Sequence, residues 1–221
     1  MLRMLPSDQA RVPAHSCRSC SRHGGNLSGR HALVIGASNY PTQPLVNAAD
    51  DAQRIAGALG QRGFEVATNI DPDRDALDAA VGAFRIVARG ADLALVYLAG
   101  HAVERHGTGY YLPVDFPFPV SPGNLRFSAI SLNDFVAATD GAGSRIVVLD
   151  ACRDWPENAD ESARLANDLD ELAVGERDWP NLLLAYATSA TTRAGDGLPG
   201  QGSAFSNSLF RNLLDHTLTV D

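Results

Sequence analysis

Lysine is absent from this chain. All 18 basic residues are arginine, set against 26 acidic ones, for a net charge of -8. The missing lysine fits the codon usage of a GC-rich genome and carries no functional weight. The acidic balance excludes general nucleic-acid binding, which needs a basic face. Long apolar runs are missing too. None approaches the ~18 residues of a membrane span, and the N-terminus lacks the apolar stretch of a secretory signal. Cysteine is scarce: Cys17, Cys20 and Cys152 are the whole set. An odd number of thiols without a signal sequence argues against a disulfide framework and leads us to expect a cytoplasmic protein.

What is present suits one soluble domain. The 221 residues are 45% hydrophobic and 20% charged, enough for a single α/β unit with a full core. Residues 1–30 are polar and rich in Gly, Ser and Arg, and read as a flexible tail or pro-segment. Cys17-Arg-Ser-Cys20, flanked by His15 and His23, has the residue types of a zinc site, but no second pair follows it. From His31 to residue 221 a regular alternation takes over. Residues 32–37 read as a strand, 48–62 as a helix closed by Gly63, and 64–70 as a second strand. Asp73 opens a helix carrying Leu77, Val81, Phe84 and Ala88, and Gly90 stops it. Residues 103–127 read as loops around a short strand at 110–114, and Ser131 caps a helix running to Thr139. Residues 153–180 form a long acidic loop, 181–188 a further strand, and 203–214 a last helix. Strands alternating with helices predict an α/β fold, with a mostly parallel sheet flanked by helices on both faces.

Two apolar runs end in reactive side chains: residues 93–101 close on Gly100-His101, and 146–152 on Asp150-Ala151-Cys152. Continuous apolar runs are the pattern of buried parallel strands. In an open α/β sheet the reactive crevice lies beyond the carboxyl ends of the strands. His101 and Cys152 are thus expected to meet there, as a cysteine hydrolase requires. Taken singly, each has a plain structural reading, the cysteine as a small buried hydrophobe and the histidine as a packed ring.

The segments Leu33-Val34-Ile35-Gly36-Ala37-Ser38-Asn39-Tyr40, Asn47-Ala48-Ala49-Asp50-Asp51-Ala52, Tyr97-Leu98-Ala99-Gly100-His101 and Asp150-Ala151-Cys152-Arg153-Asp154 resemble the caspase-like cysteine peptidases. So do Ala185-Tyr186-Ala187-Thr188-Ser189 and Ser203-Ala204-Phe205. The bacterial metacaspase-like (orthocaspase) branch is the most similar. The resemblance implies a caspase-like fold, with His101 as general base and acid and Cys152 as the nucleophile that forms an acyl-enzyme. It implies an oxyanion site made of the backbone N–H groups of Cys152 and Ala102. It also implies an acidic specificity pocket, at Asp51 and Asp150, that takes Arg or Lys before the scissile bond. Physics agrees, since paired carboxylates favour a bidentate guanidinium and disfavour an acidic residue. The implied substrates are peptides or proteins with a basic residue at the cleavage site. Self-cleavage is then expected at Arg153, Arg164 or Arg177 in the acidic loop. No cofactor is required. Calcium, which many metacaspases bind, is a possible ligand of the acidic loop after Cys152, but no motif places its carboxylates. The chain departs from the family at Ala102, where Gly is usual, and at Ala99, often Ser in metacaspases. The methyl of Ala102 is expected to restrict a turn beside the histidine.

Four other classes compete with this reading. A cysteine phosphatase needs Arg six residues after the nucleophile, and position 158 is Asn. A dinucleotide fold needs further glycines after Gly36. A non-catalytic caspase-like interaction module is the main alternative, and a zinc-organised interaction protein rests on the Cys17/Cys20 segment alone.

Overall fold

A computed structural model describes residues 29–105, 108–152, 179–187 and 198–215, and of Cys152 the backbone alone. The Cys17/Cys20 segment and the acidic loop with Arg153, Arg164 and Arg177 lie outside the described residues. Period-two alternation within continuous apolar runs builds two cores, one on each face of a sheet. Leu33, Ile35, Val96, Leu98, Val147 and Leu149 face one way; Ala32, Val34, Leu95, Tyr97 and Val148 face the other.

The strands are β1 (Arg30–Gly36), β2 (Phe64–Ile70), β3 (Leu93–Arg105), β4 (Thr108–Tyr111), β5 (Ile130–Ser131), β6 (Ser144–Cys152) and β7 (Leu182–Tyr186). Five of them run parallel in the order β2-β1-β3-β6-β7. The far end of β3 leaves this array and pairs antiparallel with β4, which pairs with β5. The helices are α1 (Ala48–Gln61), α2 (Arg74–Ala88), α3 (Pro122–Ser128), α4 (Leu132–Ala138) and α5 (Ala204–Leu214). Ile55 and Leu59 of α1, with Leu209 and Leu213 of α5, cover one face. Leu77, Val81 and Phe84 of α2, with Phe135 and Val136 of α4, cover the other. The expected α/β sheet with helices on both faces is the observed architecture.

Two expectations are corrected. Residues 103–127 are less loop-like than their prolines suggest: β3 continues past His101 to Arg105, and α3 follows. Ser121 caps α3 by accepting from the Asn124 N–H at 3.2 Å, and Pro122 takes the first turn, where its missing N–H costs nothing. The strand expected at 110–114 lies at Thr108–Tyr111, because the antiparallel pairing with β3 ends at Tyr111, opposite Ala102. Among the described residues, no helix is long and apolar enough to cross a membrane.

Candidate active site

The β3–β6 ladder decides where His101 and Cys152 stand. Its register runs from Leu93 opposite Ser144 to His101 opposite Cys152, so they form its last parallel pair. Adjacent strands lie ~4.8 Å apart. Backbone pairing alone therefore brings the histidine and cysteine positions side by side at the carboxyl edge of the sheet.

The His101 ring is held on several sides. Its Nε2 lies 2.8 Å from the carbonyl oxygen of Gln43. A carbonyl only accepts, so Nε2 carries the hydrogen and Nδ1 of the neutral ring has the lone pair. Tyr40 packs its ring 4.5 Å from the imidazole, centroid to centroid, and Phe118 stands edge-on at 6.3 Å. The Tyr40 hydroxyl accepts the His101 backbone N–H at 3.0 Å and donates to the Leu112 carbonyl at 2.9 Å. Burial raises the Tyr40 phenol well above its usual pKa, so it stays a donor at physiological pH. Gly100 must be glycine for lack of space. A Cβ there would fall 2.7 Å from the Tyr111 hydroxyl and 2.9 Å from that of Tyr40. Ala102 sits in extended β3, opposite Tyr111, with its methyl buried in the core. The tight turn expected to suffer from that methyl is absent at this position.

The segment carrying Tyr40 and Gln43 is fastened by Asp71, just after β2. Its carboxylate accepts from the backbone N–H groups of Ser38 (2.6 Å) and Asn39 (3.0 Å) and from the Asn39 side chain (2.5 Å).

The two expected specificity carboxylates meet at one residue. Asp51 is 2% exposed and Asp150 8%. The Ser203 N–H donates to Asp51 at 2.8 Å, and the Ser203 hydroxyl donates to Asp150 at 2.8 Å. The same hydroxyl accepts the Ser206 N–H at 2.9 Å and so caps α5. Tyr97 donates a second hydrogen bond to Asp150 at 2.9 Å. Burial first, then the nearby Asp150 charge, pushes the Tyr97 phenol well above its usual pKa and keeps it protonated. Arg54, one turn along α1, places Nη1 3.4 Å from Asp51. The loop before α5 is tied to α1 by Asn47, which donates to the Leu198 carbonyl at 3.0 Å and accepts the Gly200 N–H at 2.9 Å.

An apolar cavity of about 630 Å³ lies elsewhere, among Ile55, Leu59, Leu95, Ile146 and Leu209. Of the described side chains, His101, Asp51 and Asp150 do not line it.

Residues 29–220 match the sequence profile of the caspase domain. The chain belongs to the caspase family. It is similar to the human mucosa-associated lymphoid tissue lymphoma translocation protein 1, at 27% identity over 191 residues, 86% of this chain and 22% of that protein. The mouse homolog matches at 27% over the same share of this chain and 21% of its own length. The chain thus spans about a fifth of the curated relatives it matches.

Sequence reasoning named His101, Cys152, Asp51, Asp150 and Ala102 as site residues, and it missed their supports. Tyr40, Tyr97 and Ser203 lie inside the motifs that carried the family resemblance, yet nothing in their spacing marks what they hold. Gln43 acts through its carbonyl, which no side-chain pattern reveals. Arg54 reads in sequence as a solvated position on an amphipathic helix.

Proposed function

We propose that this caspase-family domain is a cysteine endopeptidase that cuts peptide bonds after Arg or Lys through a His101/Cys152 dyad. The observation that carries the reading is the register pairing of His101 with Cys152 at the end of the parallel ladder. The Cys152 thiol passes its proton to Nδ1 of His101, and the thiolate adds to the substrate carbonyl carbon. Backbone N–H groups of Cys152 and Ala102 receive the oxyanion; the His101 N–H is already given to Tyr40. Collapse breaks the carbon–nitrogen bond, and the imidazolium returns its proton to the leaving amine. Water, deprotonated by His101, then opens the thioester and frees the carboxylate and the thiol. The Gln43 carbonyl holds Nε2–H throughout, which keeps the ring in the tautomer the step needs and favours the imidazolium that forms.

Asp51 and Asp150 supply the preference for a basic residue. Their convergence on Ser203 supports it: two buried carboxylates held by one residue make a site that a substrate guanidinium relieves and a substrate carboxylate worsens. The same chemistry turned on the chain itself gives self-cleavage at Arg153, Arg164 or Arg177. Incubation of purified protein and mapping of new termini shows such cuts in wild type and none in Cys152→Ala. The dyad is tested by an Arg-directed acylating probe read by mass spectrometry. The expected adduct is on Cys152 and is lost in His101→Ala. A chain that stays unlabelled while correctly folded is a non-catalytic interaction module instead.

A further inference from the structure

The proposed specificity site already has an arginine at it. Arg54 Nη1 stands 3.4 Å from Asp51 Oδ1. Its other terminal nitrogen donates to the Asn207 side chain at 3.1 Å, and its guanidinium stacks 4.7 Å above the Phe210 ring. Asn207 and Phe210 both lie on α5, so the guanidinium is clamped between two helices at the mouth of the network that joins Asp51, Ser203 and Asp150. Gly202 closes over the pair at φ +71, and a Cβ there would fall 2.5 Å from Asp51 Oδ1 and 2.7 Å from Arg54 Nη1. The Arg54 side chain remains 39% exposed, whereas Asp51 is 2% exposed. One partner is open to solvent and exchange; the other is buried.

We propose that Arg54 is a specificity-determining residue: a resident cation that offsets Asp51 and competes with the basic residue of the substrate. This rests on reading Asp51 and Asp150 as the specificity carboxylates. The ion pair has two effects. It lowers the negative charge that Asp51 and Asp150 together present to a substrate cation. It also weakens that cation's hold on Asp51, because the two positive groups share a single carboxylate. With Asp51 released from Arg54, a guanidinium ligand can bind Asp150 with one edge and Asp51 with another. Removal of Arg54 is therefore expected to tighten binding of small cations without touching His101 or Cys152.

The test needs no catalysis. Agmatine, a guanidinium on a butyl stem, is titrated calorimetrically into the wild-type chain and into Arg54→Gln, Arg54→Met, Arg54→Lys and Asp51→Asn. Arg54→Met is a second neutral variant, so the test does not depend on Arg54→Gln alone folding. The expected result is about tenfold tighter agmatine binding in the folded neutral variant. Arg54→Lys should fall within about twofold of wild type, and Asp51→Asn should bind more weakly. Equal or weaker binding in the neutral variants overturns the proposal. Wild-type hydrolysis of an Arg peptide is measured separately, so a chain that binds agmatine as described yet cuts nothing removes the peptidase reading and leaves Arg54 standing.

Discussion

Gln43 sits at φ 63, a left-handed conformation uncommon for a side chain of its size. Holding a non-glycine residue there costs ~1 kcal/mol, and such strain concentrates at functional sites. Here it aims the carbonyl that takes the His101 Nε2–H. Gln43→Gly relieves the strain and keeps the carbonyl, so kcat should stay near wild type. Gln43→Val, β-branched and ill-suited to this region, should lower kcat while leaving KM little changed. Steady-state kinetics on an Arg peptide reads both. Tyr40 is the more sensitive position. Tyr40→Phe leaves the Leu112 carbonyl and the His101 N–H without the hydroxyl that serves them. Stability should fall by ~1–3 kcal/mol in urea titration, and kcat should fall with it. An unchanged kcat in Tyr40→Phe would show that the His101 backbone needs no such support.

At the scale of elements, the site depends on a loop fastened to β2 and a helix fastened to two carboxylates. Asp71→Ala removes three donors' shared acceptor and frees the segment that presents Tyr40 and Gln43. The expected signature is a loss in kcat with KM retained, partly rescued by Asp71→Asn, which keeps one acceptor oxygen. Ser203→Ala removes the cap of α5 and a hydrogen bond to Asp150. Capping is worth ~1 kcal/mol, and a bond to a charged group ~1.5–3 kcal/mol. A urea titration should show a loss of that order, together with a raised KM for Arg peptides. The elements themselves were largely legible in the sequence. The α1 and α2 helices stand where apolar spacing placed them, closed by Gly63 and Gly90, both at positive φ. The α3 helix was not, because Leu125 is its sole fully buried side chain and no apolar stripe marks it. Nor was the onward run of β3, whose second half is defined by antiparallel pairing with β4. The meeting of the His101 and Cys152 positions was legible because strand ends announce themselves by where apolar runs stop. Its supports were not. Ser203 reaches Asp51 across 152 residues and Asp150 across 53, and no local pattern encodes such partnerships.

For the whole molecule, three buried phenols set an alkaline limit. Tyr40, Tyr97 and Tyr111 are all raised above the ordinary value of 10, chiefly by burial. Below pH 10 they are protonated in both folded and unfolded chains and contribute no pH dependence. Above it the unfolded chain loses protons that the folded chain keeps, so stability falls as pH rises. Three such groups give a slope of about 4 kcal/mol per pH unit. Urea midpoints should be level from pH 8 to 9 and drop steeply by pH 11; a level profile through pH 11 would contradict the burial of these rings. The two cores, the shared Ser203 and the register of β3 against β6 all converge on one edge of the sheet, where the proposed chemistry stands. The most direct measurement is hydrolysis of matched peptides that differ only in Arg, Lys or Asp before the scissile bond, with and without calcium, by wild type and Cys152→Ala. Cleavage after Arg and Lys, none after Asp, and silence in Cys152→Ala is the predicted result. Preferential cleavage after Asp, or a rate that survives loss of the thiol, would contradict it.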